Sequence, residues 1–135
     1  MPYLLLDHNL LKMNLLVSCL MLVGLLGFAQ ESTIVQALKT NDAATILNLM
    51  SDKSEIYIAA HGLAHDRQKA EKILNSFFTQ EQVTTLKIIH RGEAKDKSSQ
   101  YFIGRMTTTQ TAVYRIFIQF NTTDNLISEI RIDKE

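Results

Sequence analysis

Thr84-Thr85-Leu86-Lys87-Ile88-Ile89-His90-Arg91 alternates, with Leu86, Ile88 and His90 on one side and Lys87, Ile89 and Arg91 on the other. Successive side chains of a strand point to opposite faces, so the run reads as a half-buried β-strand. Three similar runs come after it. Gln100 to Thr108 sets Phe102, Gly104 and Met106 against Tyr101, Ile103, Arg105 and Thr107. Ala112 to Phe120 sets Tyr114, Ile116, Ile118 and Phe120 against Val113, Arg115, Phe117 and Gln119. Leu126 to Asp133 sets Leu126, Ser128, Ile130 and Ile132 against Ile127, Glu129, Arg131 and Asp133. Polar turn segments, Gly92 to Lys97 and Asn121 to Asn125, separate them. From Thr84 to Asp133 the chain reads as a four-stranded antiparallel meander.

Register decides whether the faces align, because a slip of one residue moves every side chain across the sheet. With Thr108 opposite Ala112 around an odd-membered loop, Phe102 and Met106 join Tyr114, Ile116 and Ile118 on one apolar face. The other face then mixes arginines with Ile103, Val113, Phe117 and Ile127. A two-residue Thr109-Gln110 turn would mix apolar and charged positions on both faces, and it lacks the glycine or asparagine such turns favour. The odd-membered loop is therefore expected, and the apolar face needs a cover.

The cover lies upstream. Ile34, Val35, Ala37 and Leu38 form an apolar stripe at helical spacing, with Ser32 or Thr33 as N-cap. Asp42 can cap a second short helix carrying Ile46, Leu47, Leu49 and Met50. Ser54 to Ala60 alternates again and reads as a fifth strand, followed by a His61-to-His65 loop. Asp66 then starts the strongest helix, where Ala70, Ile73, Leu74, Phe77 and Phe78 share one face. Helix, helix, strand, helix and four strands make an α+β fold, with helices packed on one face of a curved antiparallel sheet.

The whole chain has 135 residues and a formal net charge of +0, which leaves no electrostatic footprint for nucleic acid. Residues 13–29 are uncharged, with Lys12 ahead of them and Gly27-Phe28-Ala29-Gln30 resembling a small-residue cleavage site. Residues 1–29 are read as a secretory signal peptide cut after Ala29, and 30–135 as one domain. The apolar block, Leu15 to Leu26, is shorter than the roughly 20 residues a membrane span needs, so contact with the membrane is expected only through this segment. Met13 offers an alternative start. Leu16-Val17-Ser18-Cys19 matches a lipobox, but lipidation would leave Leu20-Met21-Leu22-Val23 as the mature terminus, so ordinary cleavage is expected. The domain then has no cysteine and rests on its core alone.

The order of elements resembles the NTF2-like (cystatin-like) superfamily. The local wording resembles small exported proteins of Gram-negative bacteria of the DUF4783 type, whose function is unknown. The residues that carry the likeness are Ile34 to Lys39 with Asn41, Ala70-Glu71, Ile73-Leu74, Phe77-Phe78, Ile103-Gly104, Thr107-Thr108, Tyr114-Arg115 and Glu129 to Lys134. The resemblance implies a cone-shaped half-barrel and a periplasmic or extracellular location, and no established activity.

Superfamily enzymes of the isomerase or dehydratase kind place a carboxylate or a His-Asp pair inside the cone, beside a tyrosine or similar acid. In the expected register no Asp or Glu of the four strands points inward, and the domain has no thiol and no serine elbow. His90, Tyr114 and Ser128 fall on the inner face and are the candidates for lining a ligand pocket, where a small hydrophobic ligand is the expected occupant. His61 and His65 have H-x-x-x-H spacing, but Gly62 and the capping Asp66 put them in a loop. Zinc needs a third ligand such as His90, so they are weak metal candidates, and neither a metal nor another cofactor is expected. Ile103, Arg105, Val113, Arg115, Phe117 and Arg131 share the opposite face and read as a homodimer interface. The function expected is that of an exported, non-catalytic binding or interaction module. A small lyase or isomerase using the cone, or a weak metal-binding module, is the alternative.

Overall fold

The computed structural model describes Lys12, Met13 and residues 30–135. The signal segment, its cleavage after Ala29 and the Cys19 motif lie outside the described residues. Contacts divide the chain into Met1–Ser32 and Thr33–Glu135, and the second unit holds the whole sheet. No helix among the described residues is long and apolar enough to cross a membrane.

Helix α1 is helical over 30–39, so Ser32 and Thr33 lie inside the helix and do not cap it. Its stripe buries Ile34, Ala37 and Leu38. Asn41, at φ 56, turns the chain, and Asp42 accepts the Thr45 amide to start α2 (Ala43–Leu49). Strand β1 (Met50–Ile58) turns through Ala59 and Ala60 into β2 (Gly62–Ala64), a three-residue strand where a loop was expected. Asp66 accepts the Lys69 amide and starts α3 (Arg67–Gln80), whose buried face carries Ala70, Ile73, Leu74, Phe77 and Phe78. The meander comes next as β3 (Val83–Glu93), β4 (Ser99–Thr108), β5 (Val113–Asn121) and β6 (Ile127–Lys134).

The six strands form a curved, open sheet in the order β2-β1-β6-β5-β4-β3. All neighbours run antiparallel except β1 and β6, which run parallel, so the sheet is mixed. A parallel pair needs a long crossover, and here everything from β2 to β5 lies between its partners. The odd-membered hairpin is present. The Thr108 amide donates to the Ala112 carbonyl at 3.1 Å, the Thr111 amide donates to the Thr108 carbonyl at 3.0 Å, and Met106 stands opposite Tyr114. Thr111 takes the left-handed position, at φ 57, that glycine usually fills. The inner face, with Phe102, Met106, Ile116, Ile118, Ile130 and Ile132 all buried, packs in one core with Leu74, Phe77 and Phe78 of α3.

Candidate functional site

Two β-bulges re-aim the side chains on which the expected pocket depended. In β3 the pairing shifts between Ile88 and His90, leaving Ile89 as the extra residue, 53% exposed. A bulge adds one residue against the partner and reverses the facing of the residues beyond it. His90 therefore stands opposite Ile103 on the outer face, exposed, with its ring 5.9 Å from that of Tyr101. In β6 the shift falls at Ser128, between the Gln119–Glu129 and Phe120–Ile127 pairs. Ile127 turns into the core at 0% exposure, while the Ser128 hydroxyl lies 3.3 Å from the Gln119 carbonyl of the neighbouring strand. Of the three pocket candidates Tyr114 is on the inner face, His90 is on the outer one, and Ser128 is the inserted residue of its bulge.

Tyr114 is 5% exposed and meets Phe77 edge-on, with ring centroids 5.3 Å apart. Its hydroxyl donates to a carboxylate oxygen of Glu81. The four strands supply no inward acid to this pair; Glu81 comes from the position that closes α3, where its amide donates to the Phe77 carbonyl. The same turn is tied down twice more, by the Val83 amide on Asn41 Oδ1 and by the Thr109 amide on the Gln82 carbonyl. Beside it the Thr108 hydroxyl is buried without a hydrogen-bond partner among the described residues. A phenol donating to a carboxylate is the equipment of acid–base chemistry, and it is equally a latch between helix and sheet. Strand alternation could not reveal Glu81. The available signal was its place one residue past a helix whose last buried residues, Phe77 and Phe78, face the sheet.

His61 and His65 diverge. His61 packs its ring against Phe77 at 5.8 Å, with Nδ1 3.2 Å from the Ser76 hydroxyl. His65 is exposed and lies 3.5 Å from Glu55. Among the described residues no group of three His, Cys, Asp or Glu side chains is placed to hold a metal. His65 does line a small cleft of about 60 Å³ with Ser51, Asp52, Ser54, Asp66 and Arg67. Its polar groups are largely engaged. Arg67 donates to the Leu47 carbonyl and to Asn48, Ser54 to the Ser51 carbonyl, and Asp66 accepts the Lys69 amide.

The outer face is where the remaining candidates meet. Ile103 stands opposite Phe117, Phe117 opposite Arg131, Arg105 opposite Arg115, and Thr107 opposite Val113. One cross-strand row continues over the whole sheet, from His90 through Ile103, Phe117, Arg131 and Tyr57 to Leu63. Tyr101 stacks obliquely on Phe117 at 5.4 Å, and the Arg131 guanidinium lies 4.8 Å over the Tyr57 ring. Hydrogen bonding to Asp133, with that carboxylate's charge, pushes the Arg131 pKa further up, so its charge is permanent. Such a row of large, part-exposed apolar and aromatic groups carrying an arginine has the composition of a protein interface.

Comparison with known proteins gives a consistent result. The model of a family described as a domain of unknown function, DUF4783, matches residues 31–133. A DUF4783 family protein of Bacteroides uniformis is 25% identical, with TM-score 0.66 over 77% of this chain and 95% of that one. A DUF4783 family protein of Bacteroides fragilis is 30% identical, with TM-score 0.64 over 76% of this chain and 96% of that one. A protein of unknown function with a cystatin-like fold, from Methylobium petroleophilum, is 14% identical, with TM-score 0.61 over 80% of this chain and 74% of that one, a likeness of fold alone. A comparison with curated protein sequences gave no match.

Proposed function

The chain belongs to the DUF4783 family, a domain of unknown function, and on that premise we propose that it is an exported, non-catalytic interaction module that pairs with a second copy through its outer sheet face. The row from His90 to Leu63 carries this reading. It gathers aromatic and aliphatic groups on the face that the helices leave uncovered, with charges of both signs around it. A homodimer interface must complement itself, and a formal net charge of +0 means two copies do not repel each other. The inner face supports the non-catalytic part, because its groups are buried against α3, β4, β5 and β6 aim no carboxylate into it, and Glu93, which the bulge turns to this side of β3, is exposed at the strand's end.

Sedimentation equilibrium of the purified protein tests the reading. The expected mass is that of two chains, falling to one chain in Phe117→Asp while circular dichroism is unchanged. A monomeric native protein at millimolar concentration overturns it. Export is part of the same proposal, supported by the uncharged run of residues 13–29. The periplasmic protein is expected to begin at Gln30 by mass spectrometry, and an intact N-terminus would remove that part.

One observation favours a second reading, a small lyase or isomerase. Tyr114 and Glu81 form a phenol–carboxylate pair at the edge of the inner face, and such a pair can move a proton. Under it, a hydrophobic ligand co-purifies with the native chain and is lost from Glu81→Gln and Tyr114→Phe. Native mass spectra in which each of the three chains shows only its own calculated, ligand-free mass would remove it.

A further inference from the structure

A row of three cations crosses the outer face on β3, β4 and β5. Lys87 stands opposite Arg105, and Arg105 opposite Arg115, one level away from the row that runs from His90 to Leu63. All three are exposed. Like charges directly opposite each other destabilise a sheet, and two such pairs follow in succession here. Neighbouring carboxylates offset only part of that cost. Glu135 lies 2.8 Å from Arg105, both side chains being more than a third exposed. Asp133 stands opposite Arg115 but turns along its own strand to Arg131, at 2.8 Å. Among the described residues Lys87 and Arg115 have no carboxylate at ion-pair distance. The next level of the same face adds the hydroxyls of Thr85 and Thr107, which stand opposite each other on β3 and β4.

We propose that this row binds an anion with two neighbouring phosphate groups, as a diphosphate has. Adjacent strands lie about 4.8 Å apart, so the row offers two seats in line. One is between Lys87 and Arg105, the other between Arg105 and Arg115. An anionic group in each seat turns two repulsions into attractions. Charge-assisted hydrogen bonds from arginine are strong, and the guanidinium fork matches phosphate oxygens in pairs. A single phosphate fills one seat and leaves the other repulsion in place. Arg105 serves both seats, so Glu135 competes with the ligand for it. An open sheet face admits a diphosphate free in solution as well as one that heads a lipid, and the chemistry of the row is the same for both. The inference goes beyond the homodimer reading and does not need it, because one chain supplies all three cations.

Isothermal titration of the native protein with inorganic pyrophosphate tests it, with inorganic phosphate as the comparison. Pyrophosphate is expected to bind at least about tenfold tighter than phosphate, and to weaken as salt is raised. Lys87→Ala and Arg115→Gln should each weaken pyrophosphate at least about tenfold. Glu135→Gln should tighten it by releasing Arg105. Lys134→Ala removes a cation of β6 that stands opposite Tyr114, away from the row, and should leave binding unchanged. Arg115→Gln should also keep or raise the melting temperature, since it removes a like-charge pair, whereas loss of a merely structural arginine would lower it. Phosphatidylcholine vesicles with and without a prenyl diphosphate separate the two sources. Co-sedimentation with the diphosphate-bearing vesicles, tighter than binding of pyrophosphate, assigns a lipid headgroup; equal affinity assigns a free diphosphate. Equal binding of phosphate and pyrophosphate, or pyrophosphate binding that survives both Lys87→Ala and Arg115→Gln, overturns the inference. Sedimentation of the same samples keeps the homodimer reading apart: a monomer that binds pyrophosphate retains the site and loses the interface, and a dimer that does not bind it does the reverse.

Discussion

The two faces of one sheet do different work with similar residues. On the inner face Ile116, Ile118 and Ile132 lose all contact with solvent beneath α3. On the outer face Ile103, Val113 and Phe117 remain half-buried between arginines. Burial of apolar area is the main favourable term in folding, so the inner set holds the chain together. The outer set is left over for something else. The difference shows that a part-exposed aromatic row is informative only when another face already supplies a sufficient core.

Substituting one aromatic on each face gives the largest separation. Phe77 is fully buried between His61, Phe78 and Tyr114. Phe77→Ala is expected to cost about 3–5 kcal/mol, read as a lower urea midpoint. Phe117→Ala should change the stability of the single chain by less than about 1 kcal/mol while weakening self-association. Equal losses in the two variants would erase the distinction.

Two glycines repeat the comparison at smaller amplitude. A Cβ at Gly104 would lie 2.9 Å from Leu86 Cδ1, 3.0 Å from Ile116 Cγ2 and 3.4 Å from the Lys87 carbonyl, inside the packed face. Gly104→Ala is expected to cost about 1–3 kcal/mol by overpacking. At Gly92 the three atoms nearest to a Cβ all belong to the outer end of the Tyr101 side chain, the closest at 2.4 Å. That ring is part-exposed and can swing away, so Gly92→Ala should cost less than about 1 kcal/mol. Its effect should fall on association, because Tyr101 packs on His90 and Phe117.

How the faces came to differ was only partly legible in the sequence. The alternation from Gln100 to Phe120, with no glycine or asparagine at Thr109-Gln110, was enough to select the odd-membered hairpin and so the inner set of β4 and β5. Alternation fails where a bulge adds a residue. Counting through Ile89 carried His90 inward, and counting through Ser128 carried Ile127 outward, because a bulge leaves no periodic trace. Glu81 was missed for another reason. It belongs to neither the helical nor the strand period and reaches Tyr114 only because α3 ends against the hairpin. The parallel seating of β1 on β6 was likewise unreadable, since both strands alternate in the same way whichever direction they pair.

The turn between β4 and β5 gives a smaller effect. Thr111, a β-branched residue at φ 57, holds a conformation that costs non-glycine residues roughly 1–2 kcal/mol. Thr111→Gly relieves this but orders a more flexible chain, so a net gain of up to about 1 kcal/mol is expected in urea unfolding. Because the turn keeps both faces in register, association should be unchanged. A gain in stability accompanied by lost association would mean that Thr111 itself belongs to the interface.

The smallest effect separates the helical cover from the outer face by pH. The Thr45 hydroxyl, and then its amide, hydrogen-bond the Asp42 carboxylate and lower its pKa below the ordinary 3.8. The folded chain therefore binds this proton less tightly than the unfolded one. The stabilisation is complete above the unfolded value and is lost as pH falls through the folded one. Below pH 3.8 the native chain should lose stability more steeply than Asp42→Asn, which keeps a capping side chain but cannot titrate. Asp96 is lowered in the same way by the Ser98 hydroxyl, but in the β3–β4 turn. It serves as the control: Asp96→Asn should flatten the acid limb without changing the exchange of α2 amides, whereas Asp42→Asn should slow that exchange in acid. If both variants alter α2 alike, the acid response belongs to the whole chain, and the cap of the covering layer has no separate part in it.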